Sequence, residues 1–379
     1  MGSARRANLP RARDRDGRDS RHPPAESLRA MLRAVLVTPL SGSLGGYGRA
    51  GADALALWAS WHNDRFRPWI EMTVFDAHPN PVAALNRSSQ AVPDLLFGPY
   101  GSGPTAAVAG ATSRLVWNHG GAWVPAADNL VTVLAPADTY FHGAIRAVPK
   151  ADAGVRTLCV LSSETGFSDA VAQGAVDEAT RLGLRAISGR LPGGAHPADM
   201  LLVSGRFAAE VDAARRLLPG NWRAAGFVGA GVEEVLAGLG RGREGLLGPA
   251  QWLAEAAPRP DDGPTAAEFV AAYRRRTGSD PPYPAAQAFG AGVIATRCLR
   301  EAETADDDAL LAAACGIEVT TMFARFRLDP RTRRQVGHQV LTIQWQDGVR
   351  RVVWPPERAQ APLRYPLAVT RHGSADRGA

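Results

Sequence analysis

The sequence of 379 residues predicts an α/β fold of two similar lobes with a ligand cleft between them. Short apolar runs alternate with helical segments, which favours parallel sheets with right-handed crossovers. This alternation stops near Pro149 and starts again at Arg156, so a second sheet is predicted. After Gly263 the pattern changes to longer helices and a final hairpin.

The first half contains four predicted strands, at 34–37, 70–76, 94–98 and 115–117. The glycine-rich segment 41–48 is predicted as the turn after the first strand. Helices are predicted at 50–61 and 81–90. Each helix follows a strand, as the crossover of a parallel sheet requires.

The second half repeats this order. Strands are predicted at 156–162, 184–189, 199–204, 223–228 and 245–248, and helices at 167–182 and 206–218. Further helices are predicted at 265–277, 284–303 and 306–315. The runs 341–345 and 349–354 flank Asp347 and Gly348, a favoured hairpin turn pair, and predict a closing β-hairpin.

The net charge of +6 is concentrated at the amino terminus. Residues 1–30 hold eight Arg against four Asp or Glu, which is +4 of the +6. No aromatic residue lies among these arginines, so a platform for stacking nucleic-acid bases is not expected. The tails 1–31 and 369–379 are predicted to be disordered, and because the apolar runs are only strand-sized, no membrane insertion is predicted.

The compartment is predicted from the same terminus. A secretory signal needs an unbroken apolar core, whereas the first apolar stretch, 32–40, is interrupted by Arg33. The sequence as given therefore predicts a cytoplasmic protein, or an extracytoplasmic one if the true start lies upstream. The sequence contains three cysteines, Cys159, Cys298 and Cys315, an odd number without the spacing of a zinc site, so buried free thiols are expected. No metal or organic cofactor is implied.

Two loops rich in Gly, Ser and Asn carry the strongest functional indication. The segment 98–105, GPYGSGPT, follows one predicted strand, and the segment 118–122, NHGGA, follows the next. In a parallel sheet such loops lie side by side at the carboxyl edge, where open α/β folds bind ligands. Glycines let a ligand approach the backbone, and helix starts offer free N–H groups to a carboxylate.

With these residues the chain resembles the type I periplasmic binding proteins, in the branch that binds leucine, isoleucine and valine for ABC importers. Amide-sensing regulators of bacteria are related to that branch. The resemblance covers about 32–368 and is carried by five segments in the family's order: PLSGS at 39–43 with Tyr47 and Gly48, GPYGSGPT at 98–105, WNHGG at 117–121, GPAQW at 248–252 and YPAAQA at 283–288.

The resemblance implies two Rossmann-like lobes joined by three hinge crossings. Lobe one would be 32–142 plus 253–327, and lobe two would be 143–252 plus 328–368. It also implies a solute-binding protein of an ABC importer whose cleft closes on a small ligand. The partner would be an ABC permease; the alternative is a cytoplasmic amide or amino-acid sensor that signals to a regulatory protein.

On lobe one the resemblance implies ligand contacts from six residues. Ser102 matches a serine that holds a ligand carboxylate, although a serine there could instead cap the next helix. The other five matching residues are Tyr47, Tyr100, Gly120, Gly121 and Ala122. Ala122 stands where some relatives carry Thr, so one hydroxyl contact would be missing.

On lobe two the resemblance implies that Phe167 and Phe207 close over the ligand, unless they pack into the lobe. Gln251 would either touch the ligand or stiffen the hinge. The chain departs from the family at 228–231, VGAG, where amino-acid binders often place a Glu for the ammonium group. Glu233 and Glu234 are expected on the surface, so the ligand is expected to be a carboxylate or amide with an apolar part rather than a zwitterion, unless Glu164 reaches the site.

Catalysis is not expected. The sequence contains neither a GxSxG elbow nor a P-loop, and GRGREG at 240–245 precedes a predicted strand instead of following one. Ser102 and His119 could form a pair for acyl transfer, but His119 belongs to the family's third loop, where a structural or ligand-facing role is expected.

Overall fold

The computed structural model describes residues 31–125 and 127–367. Its strands, in chain order, are β1 (Met31–Thr38), β2 (Trp69–Asp76), β3 (Leu95–Phe97), β4 (Val116–Asn118), β5 (Leu130–Thr132), β6 (Thr157–Ser162), β7 (Arg185–Arg190), β8 (Met200–Ser204), β9 (Ala224–Phe227), β10 (Leu247–Ala250), β11 (Glu318–Thr320), β12 (Arg325–Arg327), β13 (Leu341–Gln346) and β14 (Val349–Trp354).

The α-helices are α1 (Gly45–Asn63), α2 (Pro81–Ser88), α3 (Ser102–Gly110), α4 (His142–Ala151), α5 (Gly166–Arg181), α6 (Phe207–Leu217), α7 (Ala266–Thr277), α8 (Tyr283–Ala302) and α9 (Asp307–Gly316). Short 3-10 helices lie at Ser89–Ala91, Ala137–Thr139, Val228–Gly231, Ala237–Arg243, Ala254–Ala256 and Pro356–Arg358.

Two large sheets confirm the predicted two-lobed α/β fold, and β11 and β12 form a small third sheet. The first lobe contains a parallel sheet in the order β2-β1-β3-β4-β5. The second lobe contains a larger sheet in the order β14-β13-β10-β9-β8-β6-β7, in which β13 runs antiparallel to both of its neighbours. The predicted hairpin of β13 and β14 therefore completes the second sheet.

Each sheet is covered by helices on both faces. In the first lobe α8 packs on α1, and Phe289 joins Trp58 and Trp117 in the main core. In the second lobe successive residues of β6 enter different cores: Val160 joins one and Leu161 the other. A strand buried on both faces needs a continuous apolar run, which explains the sequence of β6.

Hydrogen bonds tie together the three chain crossings between the lobes. Gln251 Nε2 of the second crossing donates to the Ala135 carbonyl of the first at 3.0 Å. Gln335 Nε2 of the third donates to the Val133 carbonyl of the first at 3.3 Å, and His338 Nε2 donates to the Gln251 carbonyl at 2.9 Å. Every pair of crossings is thus joined by a hydrogen bond.

The start of the first helix was predicted wrongly. The segment up to Gly48 was expected to be a turn, but α1 begins at Gly45. Helix propensity disfavours glycine here, yet a β-carbon at Gly48 would lie 1.8 Å from the carbonyl oxygen of Pro39. Close packing of the helix start on the loop after β1 therefore decides the boundary.

Several short elements were missed: β5, β11, β12 and α4. The three strands have only three residues each, and α4 contains Pro149 in its last turn, where the sequence predicted a break. The predicted tails lie outside the described residues, apart from Met31, which begins β1, so their disorder stays a prediction. Across residues 31–125 and 127–367, no helix has the length and apolar character needed to cross a membrane.

Candidate functional site

A cavity of about 870 Å³ lies where loops from the two lobes meet. Cavities of roughly 300–1,000 Å³ hold small organic ligands. Of the nine residues predicted to contact a ligand, eight line this cavity: Tyr47, Tyr100, Ser102, Gly120, Ala122, Phe167, Phe207 and Gln251. Gly121, the ninth residue, is buried and does not line the cavity.

Four helices begin at the cavity. Their N-cap residues, Leu44, Gly101, Thr165 and Arg206, all line it. Only Thr165 caps its helix with a side-chain hydrogen bond, which it accepts from the Ser168 N–H. The N-termini of α1, α3 and α6 therefore keep backbone N–H groups for another acceptor, and the four helix dipoles favour negative charge in the cavity.

Ser102 is the first residue of α3 and does not cap it, because the N-cap is Gly101. The Ser102 hydroxyl instead accepts the N–H of Trp123 at 3.2 Å and so joins the two glycine-rich loops. The N–H groups of Ser102 and Gly103 make no hydrogen bond to a described residue. These two donors and the Ser102 hydroxyl form a place where a carboxylate could bind.

Asn118 holds the third loop. Its Oδ1 accepts the N–H groups of Gly120 at 3.1 Å and Gly121 at 2.8 Å, while its Nδ2 donates to the Gly121 carbonyl. The two glycine N–H groups are thus used within the protein, and ligand contact by Gly121 stays a prediction. The N–H of Ala122 makes no hydrogen bond to a described residue and is the available donor of this loop.

Three tyrosines form the wall on the first lobe. The rings of Tyr47 and Tyr100 stack with centroids 4.9 Å apart, and the hydroxyls of Tyr100 and Tyr283 are hydrogen-bonded to each other. Burial raises the pKa of Tyr47 to about 12 and those of Tyr100 and Tyr283 well above the usual value. All three phenols are therefore neutral at physiological pH and can donate hydrogen bonds.

Aromatic residues also begin two helices of the second lobe. Phe167, in the first turn of α5, packs edge-on against Tyr140 with centroids 5.5 Å apart. Phe207, the first residue of α6, reaches across the cleft to Tyr47 with centroids 6.2 Å apart. Both phenylalanines line the cavity, so the second lobe presents apolar surface there, and their contact with a ligand stays a prediction.

Gln251 links the cavity to the hinge. Its Oε1 accepts the Ala135 N–H at 3.2 Å, and its Nε2 donates to the Ala135 carbonyl and to the Tyr140 hydroxyl, each at 3.0 Å. The side-chain amide is therefore fully engaged inside the protein. Of the two roles that the sequence left open, the structure shows the hinge contact, whereas contact with a ligand stays a prediction.

The cavity offers little charge. Among the described residues that line it, only Glu164 and Arg206 carry charged side chains, and both are exposed. A buried ammonium group would thus meet no buried carboxylate in this wall, and such unpaired charge is costly.

Position 231 cannot supply the missing acid. A β-carbon at Gly231 would lie 1.7 Å from the Pro249 carbonyl oxygen, so no side chain fits there. Glu233 and Glu234 are exposed, as expected, but lie in a turn; Glu233 pairs with Arg350 at 2.9 Å. At position 231, therefore, the backbone of Pro249 leaves no space for a glutamate side chain.

Four further residues that line the cavity were not predicted as ligand contacts: Trp123, Tyr140, Tyr283 and Gln287. Tyr283 and Gln287 are one turn apart on α8; Gln287 lies inside the Ala-rich helix predicted at 284–303, and Tyr283 directly precedes that range. A polar residue four positions after a tyrosine in such a helix is the pattern that could have indicated them.

The geometry gives no support to a Ser102–His119 pair. His119 is fully buried, does not line the cavity and has its pKa lowered to about 4 by burial. GRGREG at 240–245 precedes β10, as predicted. All three cysteines are free; Cys159 and Cys298 are buried as expected, whereas Cys315 is partly exposed. Within the described part of the chain His, Cys, Asp and Glu form no group that could hold a metal ion.

Comparisons with known proteins agree with this architecture. A family model described as periplasmic binding protein matches residues 32–349. A search of curated protein sequences finds no match.

Three similar solved structures illustrate the fold. A leucine-binding protein from Thermotoga maritima has a TM-score of 0.68 and 16% identity over 85% of this chain and 97% of its own. An ABC-transporter solute-binding protein from Rhodopseudomonas palustris in complex with 3,4-dihydroxybenzoic acid has a TM-score of 0.68 and 18% identity, and the match covers 85% of this chain and 95% of that protein. A branched-chain amino acid substrate-binding protein from Streptococcus pneumoniae in complex with isoleucine has a TM-score of 0.68 and 14% identity, and the match covers 89% of this chain and 100% of that protein. At these identities the likeness establishes the fold.

Proposed function

The chain belongs to the periplasmic binding protein family, and we propose that it is the solute-binding component of an ABC importer. Its ligand in this proposal is small, amino-acid-like in size and partly apolar, with a carboxylate or an amide. The observation that carries the proposal is the convergence of four helix N-termini on one cavity between the lobes. Such an arrangement stabilises a negatively charged or strongly accepting group.

The mechanism we propose is closure of the cleft around the ligand. The moving bodies would be 32–142 with 253–327, and 143–252 with 328–368. A ligand that contacts both lobes binds the closed form better and shifts the open–closed equilibrium towards it. The hydrogen-bonded crossings at Ala135, Gln251 and His338 support a hinge with few internal degrees of freedom.

The ligand class follows from the walls. The similar proteins are described as binding leucine, isoleucine and 3,4-dihydroxybenzoic acid. Ligands of this size therefore suit the fold. In this chain the free N–H groups of Ser102 and Gly103 would hold the carboxylate, and Tyr47, Phe167 and Phe207 would cover the apolar part. No charged side chain is available to the ligand except exposed Glu164 and Arg206.

Binding and closure test the proposal together. Native mass spectrometry of the purified full chain identifies any ligand carried through purification. Isothermal titration calorimetry with small carboxylates and amides should then give micromolar or tighter binding, and small-angle X-ray scattering should show a smaller radius of gyration with ligand. Ser102→Ala should weaken binding by roughly tenfold, since one hydrogen bond to a charged group is lost, whereas Ser113→Ala, on the exposed surface, should not.

The proposal fails if no small carboxylate or amide binds and none compacts the protein. Whether the protein partner is an ABC permease or a regulatory protein needs a separate test. Genes for a permease and an ATPase beside this one would support the importer, and a gene for a transcription regulator in that place would support the sensor.

A further inference from the structure

Gln287 is a buried polar side chain that lines the cavity and has no hydrogen-bond partner among the residues that the structure describes. It is 1% exposed and lines the cavity from α8. Its carboxamide makes no hydrogen bond to any residue that the structure describes, in contrast to Gln251, whose amide is fully bonded. Its amide atoms are not among the fully enclosed polar atoms of the described residues, so they are reached from the cavity and can bond a ligand there.

Two phenol hydroxyls lie in the same wall. Tyr283 precedes Gln287 by one turn of α8, so both side chains lie on the same face of the helix. The Tyr283 hydroxyl is hydrogen-bonded to that of Tyr100. Because one hydroxyl donates to the other, one O–H proton of the pair is still free to bond elsewhere. We call Tyr100, Tyr283 and Gln287 the polar patch.

The polar patch offers both donors and acceptors. A carboxamide has two N–H donors and a carbonyl acceptor, and the phenol pair adds a further donor. A ligand hydroxyl, which also donates and accepts, matches this set, whereas a methyl group of the same size would leave the Gln287 amide unpaired. A site built to bond a hydroxyl discriminates strongly against a ligand that lacks it.

The surrounding walls are aromatic. Tyr47 stacks on Tyr100, and Phe207 packs edge-on against Tyr47. Aromatic rings prefer stacked or edge-on aromatic partners, and these contacts contribute about 0.5–1.5 kcal/mol beyond the buried area. A flat ring therefore suits the space between the polar patch and the N-terminus of α3 better than a branched alkyl chain.

Resting on the proposed function, we propose that the cavity selects an amine-free aromatic carboxylate that carries a ring hydroxyl. The carboxylate binds the N–H groups of Ser102 and Gly103. The ring lies among Tyr47, Tyr100 and Phe207, and the ring hydroxyl bonds the Gln287 carboxamide. Gln287 is thereby the residue that determines specificity for the hydroxyl.

Calorimetry on the full chain tests this with benzoate, 3-hydroxybenzoate, 4-hydroxybenzoate and the two corresponding methylbenzoates as probes. At least one hydroxybenzoate should bind roughly tenfold or more tightly than benzoate and than its methyl counterpart. Gln287→Leu and Gln287→Met should abolish that preference and leave the affinity for benzoate nearly unchanged. Gln173→Leu, the same change on the exposed face of α5, should keep the preference.

Two results overturn the inference and leave the proposed function standing. One is equal binding of the hydroxy and methyl compounds by the unaltered protein. The other is a hydroxyl preference that survives both Gln287 variants, checked to be folded by thermal unfolding. Failure of every carboxylate and amide to bind or to compact the protein would instead refute the proposed function itself.

Discussion

The indole ring of Trp123 lies against the backbone of Gly166, so closely that a β-carbon at Gly166 would fall 2.3 Å from Trp123 Cζ3. Trp123 belongs to the loop between β4 and β5 in the first lobe, and Gly166 begins α5 in the second. Both residues line the cavity. The missing side chain at position 166 therefore lets the two lobes approach at the mouth of the cleft.

Gly166→Ala should hinder this approach. We expect ligand affinity to fall roughly tenfold or more, because overpacking of about 1–3 kcal/mol would act mainly on the closed form. The free energy of unfolding should change little, since alanine suits a helix start. Calorimetry and small-angle X-ray scattering with and without ligand measure the effect.

Gly110→Ala is the matched control, because nothing lies within 4 Å of a β-carbon placed there. Adding Trp123→Ala to Gly166→Ala should recover part of the lost affinity, as expected for two residues in contact. Unchanged affinity and compaction in Gly166→Ala would show that this contact does not limit closure.

A zwitterion should be a poor ligand. L-Leucine should bind at least tenfold more weakly than 4-methylpentanoate, which has the same branched chain without the ammonium group. The reason is that the lining residues place no buried carboxylate beside the ligand, and an unpaired buried charge costs several kcal/mol. Competition calorimetry gives the ratio, and Glu164→Ala tests the one acidic side chain in the wall. Tighter binding of leucine that is insensitive to Glu164→Ala would contradict the prediction.

Gln251→Leu should destabilise the hinge. The substitution leaves the N–H and carbonyl of Ala135 without their present side-chain partners, so we expect a loss of about 1–3 kcal/mol in the free energy of unfolding. Urea unfolding measures it, with Gln90→Leu on the exposed surface as the control. A stability equal to that of the control would mean that water replaces these bonds at no cost.

Glu210 should make stability depend on pH. Its carboxyl group is fully buried and accepts the N–H groups of Gly205 at 2.8 Å and Gly229 at 2.6 Å, which ties together two loops of the second lobe. Burial raises its pKa to about 8, against the effect of these two N–H donors, which favour the charged form.

Because the folded pKa is above the unfolded one, the folded state binds more protons between about pH 4.5 and 8. The contribution of Glu210 is therefore complete at low pH and is lost as the pH rises towards 8. We expect the stability advantage of the unaltered protein over Glu210→Gln to shrink from pH 5 to pH 8 in urea unfolding. A difference that stays constant over this range would refute a raised pKa.

The sequence predicted the large elements well, because their apolar runs are long enough to show a period. Both sheets and the closing hairpin followed from alternation of strands and helices and from Asp347-Gly348. Three-residue strands such as β5 show no period, and α1 begins earlier than helix propensity allows because Gly48 must pack on Pro39. Local patterns cannot report such tertiary contacts.

The candidate site was predictable where it lies next to strand ends. Ser102, Phe167 and Phe207 begin helices that follow strands, and all three line the cavity. Gln287 could not be placed in this way, because it lies within a helix whose other residues are mostly buried and apolar. Its exposure to the cavity depends on how α8 packs, which the sequence pattern of α8 alone does not specify.

The position of β13 has a consequence for synthesis of the chain. Strand β10 lies inside the seven-stranded sheet only because β13 pairs with its outer edge, and β13 ends at Gln346. Until that residue leaves the ribosome, β10 is an open edge whose unpaired N–H and carbonyl groups can pair with another chain. A nascent polypeptide, or one ended by a premature stop codon, is therefore prone to aggregate through this strand.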